Sequence, residues 1–241
     1  MTSDHILSNR LLVRILIAIS VLALLMVGMT VSGHMLGKSL AREDFTEETS
    51  PLHLIVGQDV LKLPANMLRF ASERQSGRHD AVHLALSWPG LEGYSQVNAT
   101  TFTQQDKADM VIFAEFSQSI MSRDMSGRYE PIYKRLFTDV ERPGPGGLTI
   151  HEFDPKSGYG SEHILTAERK GEPPYVVRCI LPRDGAPSSS ADCQRDVHVG
   201  RDLTLLYRFS SRLLDQWADI DKAMVDFANR AIESGNGTQA P

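Results

Sequence analysis

Cysteine is scarce in this chain: two occur in 241 residues, Cys179 and Cys193. Two cysteines cannot complete a zinc site, and no Cys-x-x-Cys spacing points to redox chemistry. His198 stands five positions beyond Cys193, but no fourth ligand lies at finger spacing. Basic charge is also short, with 25 Lys and Arg against 30 Asp and Glu and a net charge of −5. That balance excludes a nucleic-acid binder, which carries a basic stripe or patch. Blocks of five like charges, sustained heptads and repeats of 20–50 residues are all missing, which removes charged tails, coiled coils and solenoids. The common catalytic signatures are missing too. His151-Glu152 is followed by Phe-Asp-Pro with no second histidine one turn on, Gly-x-Ser-x-Gly does not occur, and Gly144–Gly147 lacks the strand-to-helix setting of a phosphate loop. No catalytic, metal or cofactor-binding residue is assigned, and no cofactor is expected.

One further absence is the most informative. Ile15–Gly37 holds 23 residues without Asp, Glu, Lys or Arg. A hydrocarbon core of ~30 Å needs roughly 20 apolar residues in a helix, so this run predicts one transmembrane helix. Its core is longer than that of a cleaved signal, and the best small-x-small site, Ser39-Leu40-Ala41, lies far past the core's end. An uncleaved anchor is therefore favoured over a removable signal. Arg10 and Arg14 precede the run and Lys38 and Arg42 follow it, so flanking charge is tied. A short basic tail usually stays inside, while long following domains translocate regardless of charge. The expected arrangement is a cytoplasmic tail over 1–14, the span over 15–37, a polar stalk over 38–50, an outward body over 51–234 and a disordered tail over 235–241.

In the body, Cys179 and Cys193 bracket a Pro-Arg-Asp-Gly-Ala-Pro-Ser-Ser-Ser stretch between strand-like runs. This is the pattern of a disulfide at the base of a hairpin loop, favoured over two buried thiols if the body faces an oxidising compartment. Apolar runs of strand character recur at Leu52–Val56, Val60–Leu63, Ala81–Trp88, Met110–Phe116, Leu148–Phe153, His163–Ala167, Tyr175–Leu181 and Leu203–Phe209. Val82, Leu84, Leu86 and Trp88 alternate with His83, Ala85 and Ser87, the mark of a half-buried strand. Gly57-Gln58-Asp59 reads as a hairpin turn. Short helices are expected over PANMLRFASERQ and from Pro131 to Phe137. A long amphipathic helix is expected over Ser211–Glu233, with Leu213, Trp217, Ile220, Met224, Phe227 and Ala231 on its apolar stripe. Asp215, Asp219 and Asp221 read as its solvated face rather than as a catalytic dyad.

The remaining candidates are modest. His83 and His151 read as hydrogen-bonded structural histidines before they read as ligands or bases. Trp88 closes a strand and belongs in the core, or else anchors a partner if partly exposed. Gly33 and Gly37 make a Gly-x-x-x-Gly helix-pairing pattern, and Asn98 and Asn236 match the glycosylation sequon.

At VGQDVLKLPANMLRF, LALSWPGLEGYS, the cysteine pair and YRFSSRLLDQW, the chain resembles single-span, inner-membrane-anchored envelope proteins of alphaproteobacteria. The resemblance implies an inner-membrane anchor with a periplasmic body, and it carries over no catalytic residue. The expected fold is α+β: a transmembrane helix, then an antiparallel β-rich domain with a long C-terminal helix. The expected function is a membrane-tethered periplasmic interaction or scaffold module that acts by binding, its partners the lipid bilayer and another envelope protein. The alternatives are an envelope enzyme acting on wall or lipid material and an immunity-type protein that blocks a toxin. Alkaline extraction of membranes is expected to leave the full chain in the pellet and to release a variant lacking residues 1–44; release of both would show that Ile15–Gly37 does not anchor the chain.

Overall fold

The computed structural model describes residues 13–23, 25, 26, 28, 45–104, 107–182 and 186–233. The chain divides into two compact units, Met1–Asp44 and Phe45–Pro241. In the first, residues 13–23, 25, 26 and 28 are helical, with apolar side chains such as Leu16 and Leu22 exposed. Among the described residues no helix is long and apolar enough to cross a membrane. Much of the expected span, with Gly33 and Gly37, lies outside those residues, as do positions 1–12 of the expected cytoplasmic tail, positions 38–44 of the expected stalk and the expected tail over 235–241 with Asn236. Residues 45–50 have no regular structure.

The second unit is α+β. Among its described residues, eleven strands form two sheets. The smaller sheet contains β1 (Pro51–Val56), β2 (Asp59–Pro64) and the two-residue β3 (Gly77–Arg78), in the order β2-β1-β3. The turn at Gly57-Gln58 fixes the β1–β2 register, with Val56 opposite Asp59 and Gly57 at φ +57°, a conformation that glycine adopts without steric penalty. The larger sheet contains β4 (Ala81–Ser87), β5 (Val111–Gln118), β6 (Phe137–Pro143), β7 (Thr149–Phe153), β8 (His163–Ala167), β9 (Tyr175–Cys179), β10 (Cys193–Val199) and β11 (Leu203–Phe209). Its order is β4-β5-β11-β10-β9-β8-β7-β6, antiparallel throughout.

Period-two alternation decides which face of the large sheet is dry. Val82, Leu84, Leu86, Ile112, Phe116, Leu203, Leu205 and Phe209 point to one face and are fully buried. Against them pack Leu54 and Leu61 of the small sheet and Ile220, Met224 and Phe227 of the C-terminal helix Trp217–Ala231. Each such side chain contributes about 1.5–3 kcal/mol on burial, so this layer holds the unit together. The opposite face is covered on one half only. The connection from β5 to β6 crosses it, placing Met125 and Tyr133 on Phe153, Ile164 and Val176 as a second apolar cluster. Strands β5 and β11 and the far end of β10 remain open on that face, whereas Ala85 and Ser87 of β4 are buried there.

Both edges of the large sheet are blunted against further strand pairing. At the β4 edge, Leu68 bridges Leu84 and the Arg69 amide donates to the His83 carbonyl at 2.9 Å. At the other, β6 carries Asp139, Glu141 and Arg142, an irregular register and a terminal Pro143, all devices that discourage edge pairing.

The helix expectations need correction. The 65–75 stretch forms two 3-10 turns, Ala65–Met67 and Ala71–Glu73, because the residues between them pair with the β4 edge instead of closing helical bonds. Residues 133–136 are a 3-10 turn leading into β6, a strand not anticipated from the sequence. The C-terminal helix begins as a 3-10 segment, Ser211–Gln216, capped by the Ser210 hydroxyl, and is α-helical only from Trp217. Asp221 is buried, not solvated.

Cys179 and Cys193 are directly opposite each other on β9 and β10 and are bonded, with Cα atoms 4.1 Å apart. A closure of this length adds roughly 3 kcal/mol in the chain-entropy treatment. Thiol labelling of the unfolded full chain is expected only after reduction, and Cys179→Ala with Cys193→Ala is expected to lower unfolding free energy by about 2–4 kcal/mol; labelling without reductant would rule the bond out.

Candidate functional site

The sheet does not stay closed between β9 and β10. Their ladder contains only the pairs Cys193–Cys179 and Gln194–Arg178. Beyond it the strands diverge, and the short helix Met125–Arg128 sits in the opening. The Arg195 guanidinium fills the gap, donating to the Val176 carbonyl at 2.8 Å and to Ser126 Oγ at 3.0 Å, while the Ser126 hydroxyl donates to the Pro174 carbonyl at 2.7 Å. From the core side Asp221 accepts from Arg195 Nε at 2.7 Å and from the Tyr207 hydroxyl at 2.5 Å, and it also pairs with Arg169. The Tyr175 ring lies between the two guanidiniums, 4.7 Å from that of Arg195 and 5.2 Å from that of Arg169.

Electrostatics keeps this network charged. Burial alone would raise the Asp221 pKa, yet Arg195, the Tyr207 hydroxyl and Arg169 outweigh it and hold the carboxyl below its ordinary value. Burial likewise opposes the charge on Arg195, but Tyr207, Asp221 and Tyr175 more than compensate and raise its pKa. Burial pushes the Tyr207 and Tyr175 hydroxyls up, so both stay protonated. Asp221, Arg195 and Tyr207 are buried and bonded to one another, which makes the network a structural hub, while the buried Tyr175 hydroxyl has no hydrogen-bond partner among the described residues.

The open half of the sheet forms the candidate site. A cavity of about 760 Å³ lies over β5, β11 and β10, walled by the β5–β6 crossover. Its floor is built from cross-strand rows. Glu115, Leu206 and Asp196 stand side by side on consecutive strands, and the next row holds Ser117, Thr204 and His198. Arg128 reaches down from the crossover to Asp196 at 2.5 Å and also donates to the Met121 sulfur at 2.7 Å. Burial works against the Arg128 charge, but Asp196 outweighs it and raises the pKa. At the cavity's far end Arg178 lies 3.5 Å from Glu162 and faces the Gln194 amide, whose oxygen accepts from it once the amide is turned to satisfy both side chains. Ile120, Met121 and Ile132 form an exposed apolar lip, Ile120 being 95% accessible.

At the outer margin His83 lies between two carboxylates, with Nδ1 2.6 Å from Glu73 and Nε2 3.6 Å from Glu115. Its ring also packs edge-on against Phe70 at 5.2 Å. His151, by contrast, is buried against Phe137 and bonded to Thr166 Oγ1 at 2.9 Å, and burial lowers its pKa. Among the described residues no group of three or more His, Cys, Asp or Glu side chains is placed to hold a metal.

Of the residues singled out from the sequence, Cys179 and Cys193 border the cavity floor through the neighbouring Arg178–Gln194 pair. Trp88 lies in the main core, 8% exposed, its indole NH donating to Gln216 at 2.9 Å. Sequence reasoning missed Glu115, Ser117, Thr204, Asp196, Arg128 and Arg178. The alternation in VIFAEFSQ and LTLLYRF marks the floor residues as facing away from the core, but nothing in it says that this face is left open. No family model, curated protein or solved structure matches this chain.

Asp221→Asn is expected to cost about 3–5 kcal/mol, the usual penalty for breaking a buried ion pair. Because the folded-state pKa is depressed, the Asp221 contribution is complete above the ordinary carboxylate range, near pH 4, and is lost as pH falls through the lowered value. Chemical unfolding from pH 7 to pH 2.5 is therefore expected to show the gap between wild type and Asp221→Asn closing in acid; a gap independent of pH would contradict the assignment.

Proposed function

We propose that this chain is a membrane-tethered interaction or scaffold module of the bacterial cell envelope, with its body in the periplasm, and that it acts by binding a ligand along the open half of its large sheet. The carrying observation is the 760 Å³ cavity whose floor is made of interior strands and whose wall is the β5–β6 crossover. Ligand sites are typically concave, largely preformed and of this size. The uncharged run Ile15–Gly37 supports the tether, and the disulfide supports an oxidising compartment. Tethering raises the effective concentration of the body toward other membrane-bound molecules.

The second reading is an envelope enzyme, and the observation favouring it is the His83–Glu73 contact at 2.6 Å beside Glu115. A carboxylate-oriented imidazole at the margin of a cavity is an arrangement used in general acid–base chemistry. Against it, the second ring nitrogen faces Glu115, not a nucleophile.

A photo-reactive residue introduced at Thr204 of the full chain, in cells, tests the binding reading. Irradiation is expected to give a discrete adduct that Ser117→Trp abolishes and that a probe at exposed Lys170 does not form. An equal adduct at Lys170, or none at Thr204, would overturn it. An adduct retained in His83→Gln while the captured ligand is no longer converted would favour the enzyme.

A further inference from the structure

One row of the open face differs in charge from the rest. Phe113, Arg208, Gln194 and Arg178 stand in register across β5, β11, β10 and β9. Arg69, at the β4 edge, lays its guanidinium over the Phe113 ring at 4.5 Å and near Phe70 at 5.1 Å. Arg69, Phe113, Arg208 and Glu115 border a hollow of about 40 Å³ beside the main cavity. Most other guanidiniums on this face meet an acid: Arg128 takes Asp196 and Arg178 takes Glu162. Arg69 and Arg208 do not, and among the described residues neither guanidinium has a hydrogen bond or ion pair. The nearby carboxylate, Glu115, is engaged by His83. On a chain of net charge −5, an arginine pair without acid partners is a local inversion of sign.

We propose that the open face binds an acidic saccharide whose oxyanion, a carboxylate or a phosphate, is held by Arg208 and Arg69. This rests on the reading of the open face as a binding site and names the chemistry of its ligand. Arg208 and Arg178 project from strands two apart, about 10 Å at ordinary strand spacing, so an extended ligand can meet both with Gln194 between them. The other floor groups, Ser117, Thr204 and His198, donate and accept at once, which suits hydroxyl groups. The floor argues against an acidic peptide in an extended strand. β5 and β11 are interior strands whose backbone groups are used in ladders on both sides, and the opening beside β10 is occupied by Arg195 and Ser126, so a peptide cannot add to them as a further strand. Guanidinium recognition of an oxyanion is charge-assisted and specific in geometry.

The test is affinity electrophoresis of the full chain in detergent micelles against polygalacturonate, a phosphomannan and neutral dextran. Retardation by an acidic polymer and not by dextran is expected, weakening as salt rises. Retardation by the first polymer alone identifies a carboxylate, and by the second alone a phosphate. Arg208→Gln and, separately, Arg69→Gln are each expected to lower the affinity about tenfold, the loss of one hydrogen bond to a charged group; the thermal midpoint of Arg208→Gln is expected to be unchanged, and that of Arg69→Gln to fall slightly as its stacking on Phe113 and Phe70 is lost. Equal binding of dextran, no binding of any polymer, or unchanged affinity in both variants would overturn the proposal. The binding-site reading then stands if the Thr204 photo-adduct persists and falls only if that adduct is absent too.

Discussion

A single buried carboxylate ties the body's layers together. Asp221 sits on the C-terminal helix and faces Arg195 from the sheet, Tyr207 from the neighbouring strand and Arg169 from the segment after β8. Replacing such a cluster by well-packed hydrophobes often leaves a protein as stable, whereas removing one member strands the others without partners. Its value lies in position. Apolar contacts let the helix slide by a turn at modest cost, but one carboxylate meeting two guanidiniums and a phenol fixes where the helix lies on the sheet.

The same arginine reaches through the sheet. Arg195 binds Asp221 on the core side and, through Ser126 and the Val176 carbonyl, closes the place where β9 and β10 part. Ser126 belongs to the crossover that forms the cavity wall, so the hub under the sheet also sets the wall above it. The disulfide pins the other end of the same opening. Between these two fixed points the Arg178–Gln194 pair is held at the floor's edge.

Local patterns exposed much of this fold and little of its site. The strands β1, β4 and β11 were legible because alternation or short apolar runs report burial directly, and the cysteine pair because loop residues fill the interval between its members. β6 was not, because FTDVERP is an exposed edge with five exposed positions in seven and no apolar rhythm to detect. Asp221 was misjudged for a different reason. It lies two positions from Asp219 and beside Lys222, company typical of a wet helix face, and its partners are 14, 26 and 52 residues away. The open face was hidden for the same reason as Asp221: alternation says which side chains leave the core, whereas exposure of that face depends on where the 119–136 crossover lands.

Strict alternation in β5 and β11 has one more consequence. Ile112, Ala114 and Phe116 build the core, while Phe113, Glu115 and Ser117 face outward from the same strand. With both sheet edges blunted, recognition on this face falls to side chains alone. Substitutions at the outward positions leave the packed layer untouched, so the chemistry of this face can change by single codon changes while the scaffold stays constant. Stability and specificity are written in alternate letters of the same strand, and each can drift without disturbing the other.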